Sequence, residues 1–136
     1  MATAVEYHKY SMGKKLKAPY AEVMTQVKTA LKEQGFGVLT EIDMKQTMQE
    51  KLGIDFRPYT ILGACNPPLA QSALEAELDI GLLLPCNIIV YKAEDGGSEV
   101  RILDPQIAMG IVENPALEKI ATEARHKLLK ALENLG

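Results

Sequence analysis

Residues 59–91, YTILGACNPPLAQSALEAELDIGLLLPCNIIVY, constrain the fold more than any other part of the chain. A β-prone run ends on Cys65-Asn66, an alanine-rich segment follows, and a second β-prone run begins around Cys86-Asn87. Asn66 suits a helix N-cap. Pro67 suits a first helical position, where a missing N–H costs nothing. Leu69, Ala70, Ala73 and Leu74 then recur at helical spacing, with Asp79 to Gly81 as the expected end of the helix. Residues 82–91 are the most apolar segment. Cys86, Ile88 and Val90 point one way and Leu83, Ile89 and Tyr91 the other, so neither face is polar. A strand apolar on both faces needs cover on both. One layer of helices covers one face, and the expected cover for the other is a second copy of the chain, giving a homodimer through the sheet.

The rest of the chain supplies further elements. Residues 3–12 read as an opening strand, with Val5 and Tyr7 on one side and Tyr10 and Met12 on the other. Gly13 with Lys14, Lys15 and Lys17 reads as a solvated turn. Pro19 marks a helix start, Tyr20, Val23, Val27, Ala30 and Leu31 form its apolar stripe, and Gly35 stops it. Residues 36–42 read as a strand closed by Asp43, which with Gln46 has the form of a capping box. Met44, Met48 and Leu52 then make a short helix with a core-filling stripe. Residues 54–64 form the next strand, where Pro58 indicates an edge or a bulge.

Asp95-Gly96-Gly97 is a hairpin signal, returning the chain through Val100 and Ile102 to a break at Asp104-Pro105. Residues 106–112 read as an apolar connection. Asn114-Pro115 repeats the cap-and-proline device before a long helix with Leu117, Ile120, Ala121, Ala124, Leu128, Leu132 and Leu135 on its buried stripe. The expected fold is a single α+β domain, residues 1–136. It has one mostly antiparallel sheet with helices on one face, in the order β-α-β-(short α)-β-α-β-β-α.

Composition narrows the function classes. An apolar fraction of 47% and a charged fraction of 24% exclude disordered and fibrous chains. A net charge of −3 speaks against a default nucleic-acid binder, which needs concentrated Lys and Arg. No apolar run reaches the ~20 residues of a membrane span. The opening residues lack the charged start and apolar core of a signal peptide, so the expected location is cytoplasmic, where thiols stay reduced.

GFGVLTEID (35–43), KLGIDFRPYTILGACNPPLA (51–70), GLLLPCNIIVY (81–91) and the later Asp104-Pro105 resemble a bacterial and archaeal family, the domain-of-unknown-function family numbered three hundred and two. The resemblance covers nearly the whole chain and rests mainly on the ACNP and LLPCN motifs. It implies a compact α+β domain with no established activity, and it transfers no mechanism.

Candidate chemistry centres on Cys65 and Cys86. Cys65 precedes a helix N-terminus, where the macrodipole favours a thiolate that could attack an electrophile, exchange with a disulfide or bind a soft metal. Cys86 follows the same helix and would act as resolving thiol or second metal ligand. Two thiolates alone are an incomplete zinc shell, and their spacing is no known zinc signature. Both cysteines equally suit small buried hydrophobes. Asn66, Asn87 and Asp104 complete the candidate ligand-binding set, each with a bland alternative: helix cap, partner of a kinked backbone, and turn former.

Asp43 and Asp55 lie near strand ends, and Glu41 with Arg57 reads as a packing pair across strands. His8 is a base or ligand only if it faces the cysteines, and His126 sits on a solvated helix face. No phosphate loop, dinucleotide fingerprint, nucleophile elbow or metalloprotease helix is present, so no cofactor is implied. Two function classes follow. The first is a dimeric, non-catalytic module binding a small ligand, metal or protein around Cys65 and Cys86. The second is a thiol-dependent redox protein or enzyme with Cys65 as reactive thiol. The lack of a general base favours the first.

Overall fold

The computed structural model describes residues 4–136; Met1, Ala2 and Thr3 lie outside them, Thr3 being the expected start of the first strand. The elements in chain order are β1 (Glu6–Tyr7), β2 (Ser11–Leu16), α1 (Tyr20–Glu33), β3 (Gly37–Asp43), α2 (Met44–Leu52), β4 (Tyr59–Cys65) and α3 (Pro67–Ala76). A 3-10 turn (Leu78–Leu83) follows, then β5 (Cys86–Lys92), β6 (Ser98–Leu103), α4 (Pro105–Gly110) and α5 (Ala116–Glu133). The strands form one sheet in the order β1-β2-β6-β5-β4-β3, and every neighbouring pair is antiparallel. The expected α+β fold with an antiparallel sheet is the one observed.

Strand periodicity sorts the side chains onto two faces. Met12, Leu16, Leu62, Ala64, Ile88, Val90, Val100 and Ile102 are buried on the near face, in one cluster with Val23, Val27 and Leu31 of α1 and Leu128 and Leu132 of α5. A second cluster joins Ala73 of α3, Ile80, Met109 of α4, and Leu117 and Ala121 of α5. The stripes expected for α1 and α5 are therefore the ones buried. No helix among the described residues is long and apolar enough to cross a membrane.

The N-terminal region differs from expectation. Gly13, Lys14 and Lys15 do not turn the chain; they continue β2, which pairs with β6 from Ser11 opposite Leu103 to Leu16 opposite Ser98, and only Lys17 lies in the bend that follows. Gly13 is needed for close strand approach, because a Cβ there would lie 2.7 Å from the Val100 carbonyl oxygen and 3.0 Å from Cγ of Arg101. Lys14 shares the near face with Met12 and Leu16 and is only 3% exposed. Its ammonium donates to the backbone carbonyls of Leu132 (3.1 Å), Glu133 (3.3 Å) and Leu135 (2.6 Å), at the end of α5 and just past it. Burial holds its pKa below the usual lysine value, and the Glu133 carboxylate opposes that shift.

Five further expectations are corrected. The helix α2 buries none of its residues, and Leu52 is exposed, so Met44, Met48 and Leu52 are not core filler. Polar contacts hold it instead: Asp43 Oδ1 accepts the Gln46 N–H at 3.0 Å, and Lys45 reaches Asp55 and the Phe56 carbonyl, each at 2.8 Å. β4 begins at Tyr59 rather than residue 54 and is central rather than an edge, so Pro58 falls outside the ladder; the bulge lies in β3, between Val38 and Thr40. α3 stops at Ala76 and the chain tightens into the 3-10 turn, leaving β5 to start at Cys86. Residues 106–112 contain α4, capped by Asp104, whose Oδ1 accepts the Gln106 N–H at 2.9 Å. Glu41 and Arg57 do not pair with each other: Glu41 bonds Lys28 at 2.7 Å and Arg57 lies 3.9 Å from Glu94.

Candidate functional site

β4 delivers Cys65 and β5 begins with Cys86, whose register partner is Ala64. Asn66 then turns the chain into α3. Its Oδ1 accepts the Leu69 N–H at 3.3 Å, and its Nδ2 donates to the Gln34 carbonyl at 3.4 Å, tying the start of α3 to the end of α1. Cys65, Asn66 and Cys86 thus come together around one small apolar cavity of about 20 Å³, closed by Phe36, Ile120 and Ala124 among others. That volume is about one water molecule, and the lining offers little to bind one.

Burial pushes the Cys86 thiol up to about 11, with the neighbouring Cys65 adding to the shift. At neutral pH Cys86 is a protonated, poorly nucleophilic thiol. Both cysteines are free. Among the described residues no three His, Cys, Asp or Glu side chains gather as a metal site would need.

The other candidates lie elsewhere. Asn87 follows Cys86 in the strand, so it projects from the far face of the sheet, the face turned away from α1 and α5. Asp104 caps α4 and pairs with Arg125, Nε to Oδ2 at 3.1 Å, a structural use of the carboxylate. His8 lies beside Asn87 in a far-face groove and does not line the cysteine cavity, while His126 is exposed on α5.

The far face carries residues that the strand sequences do not single out. Arg101, Ile89, Ile61 and Ile42 form one cross-strand row, each the register partner of the next. The adjacent row runs Lys15, Glu99, Tyr91 and Tyr59. The Tyr59 and Tyr91 rings stack with centroids 5.4 Å apart, Phe56 packs against Tyr59, and the Arg57 guanidinium lies 5.8 Å from the Tyr91 centroid. Glu99 is buried on this face between Lys15 (3.9 Å) and Arg101 (3.5 Å). Its Oε2 and the Arg101 Nε are buried with no hydrogen-bond partner, although they face each other as an ion pair. At one corner, residues of the β1–β2 turn join Tyr59, Asn87, Ile89 and Arg101 around a groove of about 530 Å³. Burial pushes the Tyr59 phenol up, Tyr91 and Tyr10 add to the shift, and Arg101 opposes it. The shared parity of Tyr59 and Ile61, Ile89 and Tyr91, and Glu99 and Arg101 was the available signal for this face; joining them needed the strand order.

Comparison with known proteins agrees with this architecture and adds no activity. No curated protein matches the chain. The crystal structure of an uncharacterized conserved DUF302 protein from Bacillus stearothermophilus is similar, with 30% identity, a TM-score of 0.86, and coverage of 93% of this chain and 98% of that one. The sequence profile described as "Domain of unknown function DUF302" matches residues 12–135, nearly all of both core clusters, and the chain belongs to that family.

Proposed function

We propose that this protein is a non-catalytic binding module that works as a homodimer, two copies meeting through the far face of the sheet. The observation that carries this reading is the Ile42–Ile61–Ile89 row beside stacked Tyr59 and Tyr91, an apolar surface turned away from the helices that build the core. Six strands at ~4.8 Å spacing and ~20 Å length give a flat area of roughly 500 Å². Side-chain relief raises that toward the ~800 Å² per partner of a stable interface. A two-fold axis asks only that the patch complement itself, and a patch holding Lys15, Glu99 and Arg101 beside an apolar row offers both signs of charge.

The geometry weighs against the thiol-dependent alternative. Its resolving thiol, Cys86, is held protonated in a cavity too small for a substrate. The cysteine region acts as packing at the junction of α3, α5 and the sheet, and the far face is the better binding surface.

Sedimentation of the full chain at micromolar concentration is expected to give a dimer. Ile61→Asp should give a monomer with an unchanged circular dichroism spectrum. A wild-type chain that sediments as a monomer overturns the dimer.

A further inference from the structure

We propose that the groove at the β1–β2 corner of the far face binds a small aromatic carboxylate, with the Arg101 guanidinium pairing its carboxylate and Tyr10 and Tyr59 flanking its ring. The proposal rests on the reading of the far face as the working surface, and it specifies the ligand class. At about 530 Å³ the groove falls within the range of small-molecule sites. It shares Ile89, Tyr59 and Arg101 with the surface proposed for pairing and extends from them to Tyr10 and Leu103, away from Ile42 at the β3 edge. The proposal therefore requires two copies to meet on the β3–β4 side and leave the β1–β2 side open.

Three observations point to this ligand class. The first is the state of Arg101. Its Nε is buried without a hydrogen bond, facing Glu99 Oε2 in an ion pair at 3.5 Å, while the side chain as a whole keeps 31% of its surface exposed. A planar guanidinium in that state is matched by a carboxylate, which accepts two parallel N–H bonds.

The second is charge. The groove lining holds Lys9 and Arg101 and no carboxylate, in a chain whose net charge is −3. Glu99 faces Arg101 from within β6 and Lys15 faces Glu99 from β2, so part of the guanidinium charge is already balanced. A monoanion fits this arrangement better than a phosphate dianion.

The third is the walls. Tyr10 is 62% exposed, so an accessible ring borders the groove. Tyr59 is fixed by its stack on Tyr91, and Ile89 and Leu103 supply apolar lining. Rigid aromatic walls favour a flat ring, and Asn87 supplies a polar side chain for a ring substituent.

The test is an amide-shift NMR titration of the full chain with benzoate, and in parallel with benzyl alcohol, its uncharged counterpart. Oligomeric state is measured by sedimentation on the same samples. Benzoate is expected to give saturable shifts at Tyr10, Asn87, Ile89 and Arg101, with benzyl alcohol binding about 10-fold more weakly. Arg101→Gln should weaken benzoate by about 10-fold or more. Should Arg101→Gln fail to fold because Glu99 loses its partner, Arg101→Lys keeps the charge, removes the fork and should still weaken benzoate several-fold, while Tyr10→Ala reports on the ring wall. No saturable shift at these amides up to about 10 mM benzoate overturns the proposal. So does equal binding of benzoate and benzyl alcohol, or full-strength benzoate binding by the folded Arg101 variant. A monomer in sedimentation overturns the dimer alone and leaves the benzoate result to be read by itself.

Discussion

The side-chain nitrogen of Lys14 lies 2.6 Å from the backbone carbonyl oxygen of Leu135, joining the middle of β2 to the last residues of the chain. The two positions are 121 residues apart, and the bond forms on the buried side of the sheet. A helix leaves its last four carbonyls without intrahelical donors. Here a buried ammonium donates to the Glu133 carbonyl and joins the Leu135 N–H on the Leu132 carbonyl, with the macrodipole of α5 favouring the positive charge.

Lys14→Met keeps the apolar stem and removes the donor. We expect a loss of about 1–3 kcal/mol, because the carbonyls of Glu133 and Leu135 lose their donor to an apolar side chain. The measurement is the urea midpoint at constant m-value. An unchanged or higher midpoint would mean that the cost of burying the ammonium outweighs its hydrogen bonds.

Cys86 predicts a pH dependence. Its folded-state pKa of about 11 lies above the reference of 9.0, so the folded chain keeps this proton longer than the unfolded chain does. The stability linked to it is complete below pH 9.0 and is lost as pH rises through about 11. Relative to Cys86→Ala, the wild-type chain should lose on the order of 2–3 kcal/mol across that window. Alkylation of Cys86 in a Cys65→Ser background should accelerate only above pH 10, approximately. An alkylation midpoint at or below the reference value would contradict the apolar cavity.

Gly63 predicts a packing limit. It pairs with Thr40 on one side and Asn87 on the other, and a Cβ there would press on Thr40 Oγ1 and lie 2.6 Å from Pro85 Cγ. Gly63→Ala should destabilise by about 1–3 kcal/mol, read from thermal or urea unfolding. A loss below about 0.5 kcal/mol would show that Thr40 and Pro85 move aside at little cost.

The local devices were legible wherever chemistry acts over three or four residues. Asn66 accepts the Leu69 N–H, Asp43 accepts the Gln46 N–H and Asn114 accepts the Ala116 N–H, each at a helix start that the sequence announces. Gly96 takes a positive φ of 90° in the hairpin expected from Asp95-Gly96-Gly97. The alternation of Ile88, Ile89 and Val90 correctly indicates a strand with two apolar sides. That same alternation places Cys86 and Asn87 on opposite faces, so grouping them in one site conflicted with a rule the sequence itself carries.

What the chain determines alone is its set of elements and the parity of each strand, because turn chemistry and side-chain period are local properties. The tertiary structure decided which strands became neighbours, and with that which side chains share a surface. Arg101, Ile89, Ile61 and Ile42 come from four strands and form one row only because β6, β5, β4 and β3 lie in that order. Lys14 reads as a surface charge until α5 ends above it. Burial and partnership depend on contacts between distant segments, and no window of sequence contains them.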